Sequence, residues 1–423
     1  MNRQFHVFPV IGLILVLVLA ACGISPEDSP SDGADASTAP DGSSGASEAA
    51  NPSESAGASA AAVGGGEPEA ELNFANWPLY IDQDEETGES PTLEAFKEET
   101  GIALTYTENI EDNQSFFGTI QPSLAGGEDT GYDIIVMTDW MIGNMARLGY
   151  LEEIDVERDV PNFVANAGPT YLERSYDPGN RYSVPWQSGI TGIAYNPELV
   201  DEEITSLEQL FDPAFIEKYC GQIGMFVEMR DSMSLALLYN GVTPVDATLE
   251  DAEAAQQVLL DQAPCVRDYY GNEYAQALAD ESLAITMAWS GDVFQLQFDN
   301  PDLQFVVPDE GGILWTDNMA IPKGAAHPNA ALAMMNYVYD PEIAAQVTEY
   351  VNYIAAVPGA QEIILQHAEE AESEDDAEYY RTVAESPLVF PTDEMLDNLY
   401  SYRVLTEDEE RQWNELFGEV VQG

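Results

Sequence analysis

The sequence predicts an α/β protein of two lobes with a ligand cleft between them. At 423 residues the chain is long for a single hydrophobic core, so two lobes are the default expectation. Short apolar runs alternate with helical patterns both before and after a Gly-rich stretch at 182–196, and this alternation is typical of α/β lobes. Because ligands of such sheets bind beyond the carboxyl ends of the strands, the residues after each strand are candidate binding residues.

The first residues indicate export. An apolar run at 7–19 follows Arg3 and ends in Leu-Ala-Ala-Cys, which predicts a signal peptide over 1–21. This pattern resembles the lipobox of bacterial lipoproteins, which implies that Cys22 is lipidated and holds the protein on the outer face of the cytoplasmic membrane, in the periplasmic space or at the cell surface. Residues 22–70 contain no aromatic or basic residue, so we expect a disordered tether there.

Composition excludes several kinds of function. Lys and Arg number 13 against 77 Asp and Glu, a net charge of −64 that would repel nucleic acid. We interpret most of this charge as adaptation to high salt, where an acidic surface is screened. The three His lie in no Ser/His/Asp or Cys/His pattern, and no Gly-rich phosphate loop occurs. We therefore expect neither an enzyme nor a metal or other cofactor.

The first lobe is predicted from short apolar runs and amphipathic patterns. Its predicted strands lie at 72–75, 102–106 and 133–137, and its predicted helices at 91–100 and 141–148. Gly101 ends the first helical pattern, as a left-handed C-terminal cap would. After Asp133, every residue of the run at 133–137 is apolar, which favours a buried parallel strand.

The second lobe repeats this order. Its predicted strands lie at 222–227, 266–270, 284–288 and 305–307. One helix is predicted to start within 206–211, and another is predicted at 251–260. The stretch 182–196 is predicted to cross from the first lobe to the second, and the stretch 311–322 is predicted to return to the first. Helices are predicted at 328–338 and 341–351. The expected domains are a first lobe at 71–188, a second lobe at 189–313, a return at 314–355, and a C-terminal helical segment packing on the lobes at 356–423.

Aromatic residues and acids recur where the predicted strands end. The groups are Trp77 with Tyr80, Thr138 with Trp140, Glu228 with Asp231, Trp289 with Asp292, and Trp315 with Asp317. Trp315 and Asp317 are two residues apart and therefore share one face of an extended chain. A single pair of this kind is better explained by core packing beside a turn. Several pairs facing one cleft suit a linear polyamine, because a charge-assisted hydrogen bond contributes roughly 1.5 to 3 kcal/mol and a desolvated cation–π contact about 2.

Six motifs carry a resemblance to a known family. They are Asn-Trp-Pro-Leu-Tyr-Ile (76–81), Tyr-Asp-Ile-Ile-Val-Met-Thr-Asp-Trp (132–140), Pro-Trp-Gln-Ser-Gly (185–189), Glu-Met-Arg-Asp (228–231), Trp-Ser-Gly-Asp (289–292) and Leu-Trp-Thr-Asp-Asn (314–318). From Leu72 almost to the last residue, the chain resembles the spermidine/putrescine-binding proteins of ABC importers, in which such motifs occur in this order. The resemblance implies a periplasmic-binding-protein type II fold and a monomer that delivers a polyamine, putrescine or spermidine, to the permease subunits of an ABC transporter. Two alternatives stay open: the same receptor fold for another small organic cation, and a non-transport cell-surface protein.

The resemblance also implies the ligand-binding residues. They are Trp77, Tyr80, Thr138, Trp140, Glu228, Asp231, Trp289, Asp292, Trp315, Asp317 and Tyr353. Trp140 stands where members of the family carry Tyr, and Asp231 replaces a longer Glu, so the pocket is expected to be slightly deeper there. Arg230 lies between two acids and is expected to pair with a neighbouring carboxylate outside the pocket.

Two cysteines remain beside Cys22. Cys220 and Cys265 each precede a predicted strand. A disulfide in an oxidising compartment and two free buried thiols fit this placement equally well.

Overall fold

A computed structural model describes residues 63–84, 87–172 and 174–422. The predicted signal peptide and the predicted lipidation site at Cys22 lie outside the described residues. Within the described part of the chain, no helix combines the length and the apolar character needed to cross a membrane.

Eleven strands of the described residues form one mixed sheet. They are β1 (Glu71–Asn76), β2 (Ala103–Glu108), β3 (Ile134–Thr138), β4 (Ser183–Tyr195), β5 (Ile223–Phe226), β6 (Val266–Tyr270), β7 (Ile285–Trp289), β8 (Gln304–Val306), β9 (Gly312–Ala320), β10 (Ile354–Ala355) and β11 (Leu399–Tyr400). The main order is β2-β1-β3-β9-β4-β7-β5-β6, while β8 and β10 pair with β4 and β11 pairs with β9.

The sheet has two parallel halves joined by two long strands. In the first half β1 pairs in parallel with β2 and β3, and in the second half β5 pairs in parallel with β6 and β7. Between the halves, β4 and β9 run antiparallel to each other from the pair Ser183/Ala320 to the pair Thr191/Ile313. Beyond Thr191, β4 continues into the second half beside β7 and β8. The predicted crossing at 182–196 and the predicted return at 311–322 are therefore these two strands.

Seventeen α-helices of the described residues flank the sheet. They are α1 (Pro91–Thr100), α2 (Asn113–Gly126), α3 (Asp139–Leu148), α4 (Val156–Asp159), α5 (Pro161–Asn166), α6 (Glu208–Phe211), α7 (Pro213–Ile216), α8 (Met229–Tyr239), α9 (Leu249–Gln262), α10 (Tyr274–Ala279), α11 (Ser290–Asp299), α12 (Pro328–Tyr337), α13 (Pro341–Val351), α14 (Ala360–Glu370), α15 (Glu374–Glu385), α16 (Asp393–Asp397) and α17 (Glu407–Gln422). The sequence predicts the bounds of α1 correctly because its end signals are strong: the Ser90 hydroxyl accepts from the amide of Leu93, and Gly101 has a φ of 73°.

Each half of the sheet has its own core. In the first lobe, α12, α13 and α14 pack against β1 and β3 in one cluster, and α2 and α3 pack on the other face in another. In the second lobe, α8 and α9 bury β5 and β7 in a single large cluster. The last helix, α17, belongs to this second cluster through Trp413, Phe417 and Val420. The C-terminal segment therefore returns to the second lobe after the chain has left it along β9.

The predicted tether is too long at its end nearest the lobes. The chain hydrogen-bonds to the first lobe from Val63 onward, since the Val63 amide donates to the carbonyl of Glu153 at 2.8 Å. The Glu69 carboxylate also accepts from the Ala330 amide at the start of α12, at 2.8 Å. This segment has no apolar pattern, but the amides of Gly65 and Gly66 donate to Asp159 at 3.0 Å and to Asn329 at 3.1 Å. Residues 63–70, which the sequence analysis assigns to the tether, therefore contact the first lobe.

A disulfide links Cys220 and Cys265 in the structure, with Cα atoms 4.2 Å apart. It ties the start of β5 to the start of β6, two neighbouring parallel strands. The bond thus fastens the outer edge of the second half of the sheet.

Candidate ligand-binding site

Three successive positions on one face of the β4–β9 ladder form the floor of the candidate site. Asp317 lies opposite Gln187, and Trp315 lies opposite Gly189. Two residues further along β4, the Thr191 hydroxyl donates to Asp231 at 2.5 Å. The step from Gln187 to Thr191 is four residues of strand, about 13 Å. The ladder position of Trp315 therefore lies between that of Asp317 and that of Thr191, the residue that contacts the Asp231 carboxylate of α8.

Asp317 is held by two hydroxyl groups of the first lobe. Its carboxylate accepts from the Thr138 hydroxyl at 2.7 Å and from the Tyr80 hydroxyl at 3.0 Å. The residue is 6% exposed, and burial is the main cause that raises its pKa to about 6. A nearby cation would favour the ionised form of this carboxyl group.

Trp315 has space for its ring because position 189 is glycine. A Cβ at Gly189 would come within 2.3 Å of that ring. The Tyr353 ring lies 5.6 Å from the Trp315 ring, centroid to centroid, and 5.8 Å from the Tyr80 ring. Tyr353 in turn packs on Gly291, where a Cβ would approach its ring to 2.6 Å. Two glycines thus allow aromatic rings to form one wall of the site.

Asp292, at the start of α11, binds two tyrosine hydroxyls. The Tyr353 hydroxyl donates to it at 2.5 Å and the Tyr274 hydroxyl at 2.8 Å. Burial raises the pKa of Asp292. Because the return segment carries Tyr353 and the second lobe carries Asp292, this hydrogen bond joins the two lobes.

A second acidic group lies at the Thr191 end of the floor. Asp231 accepts from the Tyr402 hydroxyl at 2.6 Å, and burial raises its pKa. Glu228, which precedes α8, has a pKa raised to about 8, first by burial and next by the charge of Asp231. One oxygen of Glu228 is buried without a hydrogen-bond partner. Two neighbouring acids, one of them unsatisfied, therefore mark this end of the site.

Arg230 connects this acidic end to the first lobe. Its guanidinium lies 3.6 Å from the centroid of the Trp140 ring. It also forms an ion pair with Glu410 of α17, and the Nη1 to Oε1 hydrogen bond measures 3.0 Å. The expected pairing with a carboxylate is thus found, but Arg230 also covers an aromatic residue that was predicted to contact the ligand.

Hydrogen bonds and ring contacts connect seven of the eleven predicted site residues. These are Tyr80, Thr138, Asp292, Trp315, Asp317 and Tyr353, with Trp289 joined through Tyr274. Asp231 bonds instead to Thr191 and Tyr402, and Glu228 interacts with Asp231 through its charge. Trp140 contacts Arg230 instead, and Trp77 uses its indole N–H to donate to the carbonyl of Val136 at 3.0 Å.

Sequence reasoning missed four polar residues of the site. They are Gln187, Thr191, Tyr274 and Tyr402. Gln187 lies opposite Asp317 and has a buried amide oxygen without a partner. Gln187 and Thr191 could have been found from the sequence, because the period of two along a strand places them on the same face of β4 as Gly189. Nothing local marks Tyr274 or Tyr402, since only tertiary packing brings them to the site.

Two α/β lobes joined by paired crossing strands, with acids and aromatic rings at their junction, define a two-lobed solute receptor. Residues 92–379, more than half of the chain, match the family of bacterial extracellular solute-binding proteins. The protein belongs to this family.

Named relatives agree with this assignment. The chain is 29% identical over 283 residues to the spermidine/putrescine-binding periplasmic protein of Escherichia coli, covering 67% of this chain and 76% of that protein. It is 25% identical over 367 residues to a putrescine-binding periplasmic protein of Pseudomonas aeruginosa, covering 83% and 92% of the two chains. The solved structure of the spermidine/putrescine ABC transporter substrate-binding protein of Streptococcus pneumoniae superposes with a TM-score of 0.68, with 28% identity, over 84% of this chain and 99% of that one. The predicted two-lobed type II periplasmic-binding-protein fold is confirmed.

Proposed function

We propose that this protein binds a linear polyamine in the cleft between its lobes and delivers it to an ABC permease. The observation that carries the proposal is the order of groups along the β4–β9 ladder: the Asp317 carboxylate, the Trp315 ring, then the Asp231 carboxylate. Two ammonium groups separated by methylenes complement an acid, an aromatic face and a second acid. The names of the relatives, which bind putrescine or spermidine, support the same ligand class.

Each predicted site residue has a proposed role. Asp317 and Asp231 receive ammonium groups, while Glu228 adds charge beside Asp231. Trp315, Trp289 and the two rings of Tyr80 and Tyr353 enclose the methylenes, and Thr138 fixes the orientation of Asp317. Asp292 adds a further carboxylate beside the rings and holds Tyr353 and Tyr274 in place through their hydroxyl groups. Trp77 and Trp140 complete the first-lobe side of the cleft.

Closure of the lobes is the proposed mechanism. Asp231 and Trp289 come from the second lobe, whereas Tyr80 and Thr138 come from the first. A ligand that touches both sides has a higher affinity for the closed state than for the open one, and it therefore shifts the population toward closure. The closed form would then be the one that the permease recognises.

The location and lobe limits belong to the same proposal. A lipid on Cys22 would hold the protein on the outer face of the membrane, where an exported receptor meets both its ligand and its permease. The moving parts would be residues 71–188 with 314–355, and residues 189–313. The helical segment at 356–423 would pack on both lobes, with α17 fixed to the second.

A panel of ligands tests the proposal. Isothermal titration calorimetry of putrescine, cadaverine, spermidine and spermine should give micromolar or tighter affinity for at least one amine, with lysine and arginine as matched basic controls. Small-angle scattering should show a decrease in radius of gyration with the bound amine. Preference for a basic amino acid would assign the receptor to another organic cation. Absence of binding and of compaction across the panel would refute transport of polyamines.

A further inference from the structure

Gln187 is a buried polar residue to which the proposed function assigns no role. Its side chain is 4% exposed, and its amide oxygen has no hydrogen-bond partner among the described residues. A buried acceptor without a donor costs free energy, so native structures rarely leave one unsatisfied. The amide oxygen of Gln187 therefore indicates a donor from outside the chain.

A β-bulge turns Gln187 toward the site. Pro185 of β4 lies opposite Asn318 of β9. The next pair is Gln187 opposite Asp317, so two residues of β4 correspond to one residue of β9. Trp186 is the extra residue. Without it Gln187 would share the face of Asn318, because side chains alternate along a strand, and bulges commonly redirect a side chain beside a functional site.

The hydroxyl groups around Asp317 already have acceptors. Directly opposed residues have Cβ atoms about 4.5 to 5.5 Å apart, so the side chains of Gln187 and Asp317 are neighbours. The hydroxyls of Tyr80 and Thr138 both donate to Asp317, and the Tyr353 hydroxyl donates to a carboxylate of the second lobe. Asp317 can still accept from a ligand, since a carboxylate has about four lone pairs. A donor for the Gln187 oxygen must come from a ligand or from water.

We propose that Gln187 is a specificity-determining residue: its amide oxygen accepts a hydrogen bond from the same ammonium group that binds Asp317. The inference rests on the proposed function. Such an ammonium group needs at least two N–H donors, one for the carboxylate and one for the amide. Primary and secondary ammonium groups have them, whereas a tertiary ammonium has a single N–H and a quaternary ammonium has none. The site should therefore discriminate against tertiary and quaternary amines of the same charge and chain length.

Methylated diamines test the inference. Putrescine, N,N′-dimethylputrescine and N,N,N′,N′-tetramethylputrescine share charge and chain length, but each of their ends carries three, two and one N–H donors, respectively. On wild type, titration calorimetry should give affinities for the first two within about threefold of each other and an affinity for the third that is weaker by about tenfold or more, because a buried acceptor stays unpaired. Gln187→Met keeps a side chain of similar length and removes the acceptor. In this variant the difference between putrescine and the tetramethylated diamine should shrink by about tenfold.

A matched control is available at Gln262. Its amide oxygen is also buried without a partner among the described residues, but it is the last residue of α9 in the second lobe. Gln262→Met should leave the ratios of the three affinities unchanged. It should also lower the melting temperature, because the Gln262 amide nitrogen donates to the carbonyl of Leu210 at 2.8 Å. Gln187→Met removes an acceptor that has no partner, so the melting temperature without ligand should be unchanged or higher.

A water molecule is the competing partner for the Gln187 oxygen. Gln187 lines a cavity of about 20 Å³ together with Trp186, Tyr339 and Thr348, and this volume is large enough for one water. If the oxygen serves only such a water, Gln187→Met should lower the melting temperature and keep the wild-type affinity ratios. That result would overturn the inference.

The outcomes separate the inference from the proposed function. Wild type that binds no amine refutes both. Wild type that binds the tetramethylated diamine as tightly as putrescine, or a Gln187→Met protein with the wild-type ratios, refutes the role of Gln187 while the receptor function stands. If Gln187→Met fails to fold, wild type still decides, since the inference requires the affinity to fall at the second methyl group of each end and not at the first.

Discussion

Replacement of Asp317 by Asn should weaken amine binding while the fold persists. The side chain keeps its shape but loses the charge that an ammonium group requires. A charge-assisted hydrogen bond contributes roughly 1.5 to 3 kcal/mol, so the dissociation constant for the best amine should rise about tenfold to a hundredfold. Titration calorimetry at pH 7.5 measures this change directly.

The same substitution should have little effect on the stability of the ligand-free protein. Burial raises the pKa of Asp317 from 3.8 to about 6, which means that the folded state disfavours the ionised group by about 3 kcal/mol. Asn removes this charge, and that change stabilises the fold above pH 6. The Asn amide has only one acceptor oxygen, so it cannot accept hydrogen bonds from the Tyr80 and Thr138 hydroxyls on two separate oxygens as the carboxylate does. This loss should cost about 1 to 3 kcal/mol. The two effects have opposite signs, so the melting temperature should change by only a few degrees.

Asp133→Asn is the matched control, because it should lower stability and leave amine binding intact. Asp133 is 1% exposed and accepts the backbone amides of Asn73 and His327, each at 2.8 Å, outside the cleft. Its substitution should lower the melting temperature and leave the dissociation constant within about threefold of wild type. Wild-type affinity in Asp317→Asn, or an equal loss of binding in both variants, would refute the placement of Asp317 at the ligand.

Three further predictions concern pH, packing and the disulfide. As pH falls from 7 to 5 through the pKa of about 6, Asp317 takes up a proton, so amine affinity should fall about tenfold in titrations across this range, whereas this group's contribution to ligand-free stability rises. Gly189→Ala places a Cβ within 2.3 Å of the Trp315 ring, and it should lower the free energy of unfolding by about 1 to 3 kcal/mol and weaken binding at least about tenfold. Replacing Cys220 and Cys265 by Ala opens a loop with a sequence separation of 45 and should cost up to about 4 kcal/mol in denaturant unfolding while binding is retained.

Each of the three predictions on pH, packing and the disulfide has a result that would contradict it. A constant affinity from pH 7 to 5 would mean that Asp317 is not the titrating group of the site. Normal binding by Gly189→Ala would mean that the Trp315 ring can move without consequence. Two free thiols in the unreduced, denatured protein would exclude the disulfide.

The sequence predicts the fold because its signals are local. Apolar runs such as the one at 133–137 are followed by polar and aromatic residues, here Thr138 and Trp140. Because the carboxyl ends of parallel strands meet at one edge of the sheet, the residues that follow these strands converge. The helix α8 gave no pattern because all its residues from Met229 to Leu238 are buried and no polar face remains. The helix α2 was concealed by Pro122 in its interior.

The site was predictable where its groups lie at strand ends, as Thr138 and Trp289 do, or two residues apart within a strand, as Trp315 and Asp317 do. Tyr274 and Tyr402 reach Asp292 and Asp231 from a short helix and from the C-terminal segment, and no spacing in the sequence relates these residues to each other. The contact of Arg230 with Trp140 joins residues of different lobes. Such contacts depend on how the lobes pack, which local patterns do not encode.

The crossing strands also determine where the chain can be cut. All thirteen residues of β4 and all nine of β9 are buried, and each strand is hydrogen-bonded on both sides. A protease must draw several residues into its own active site, so these two links between the lobes are closed to it as long as the sheet persists. If the lobes open and close by bending these two strands, the backbone that bends is also the backbone that proteases reach least. Lobe motion would then not expose the connections between the lobes to cleavage.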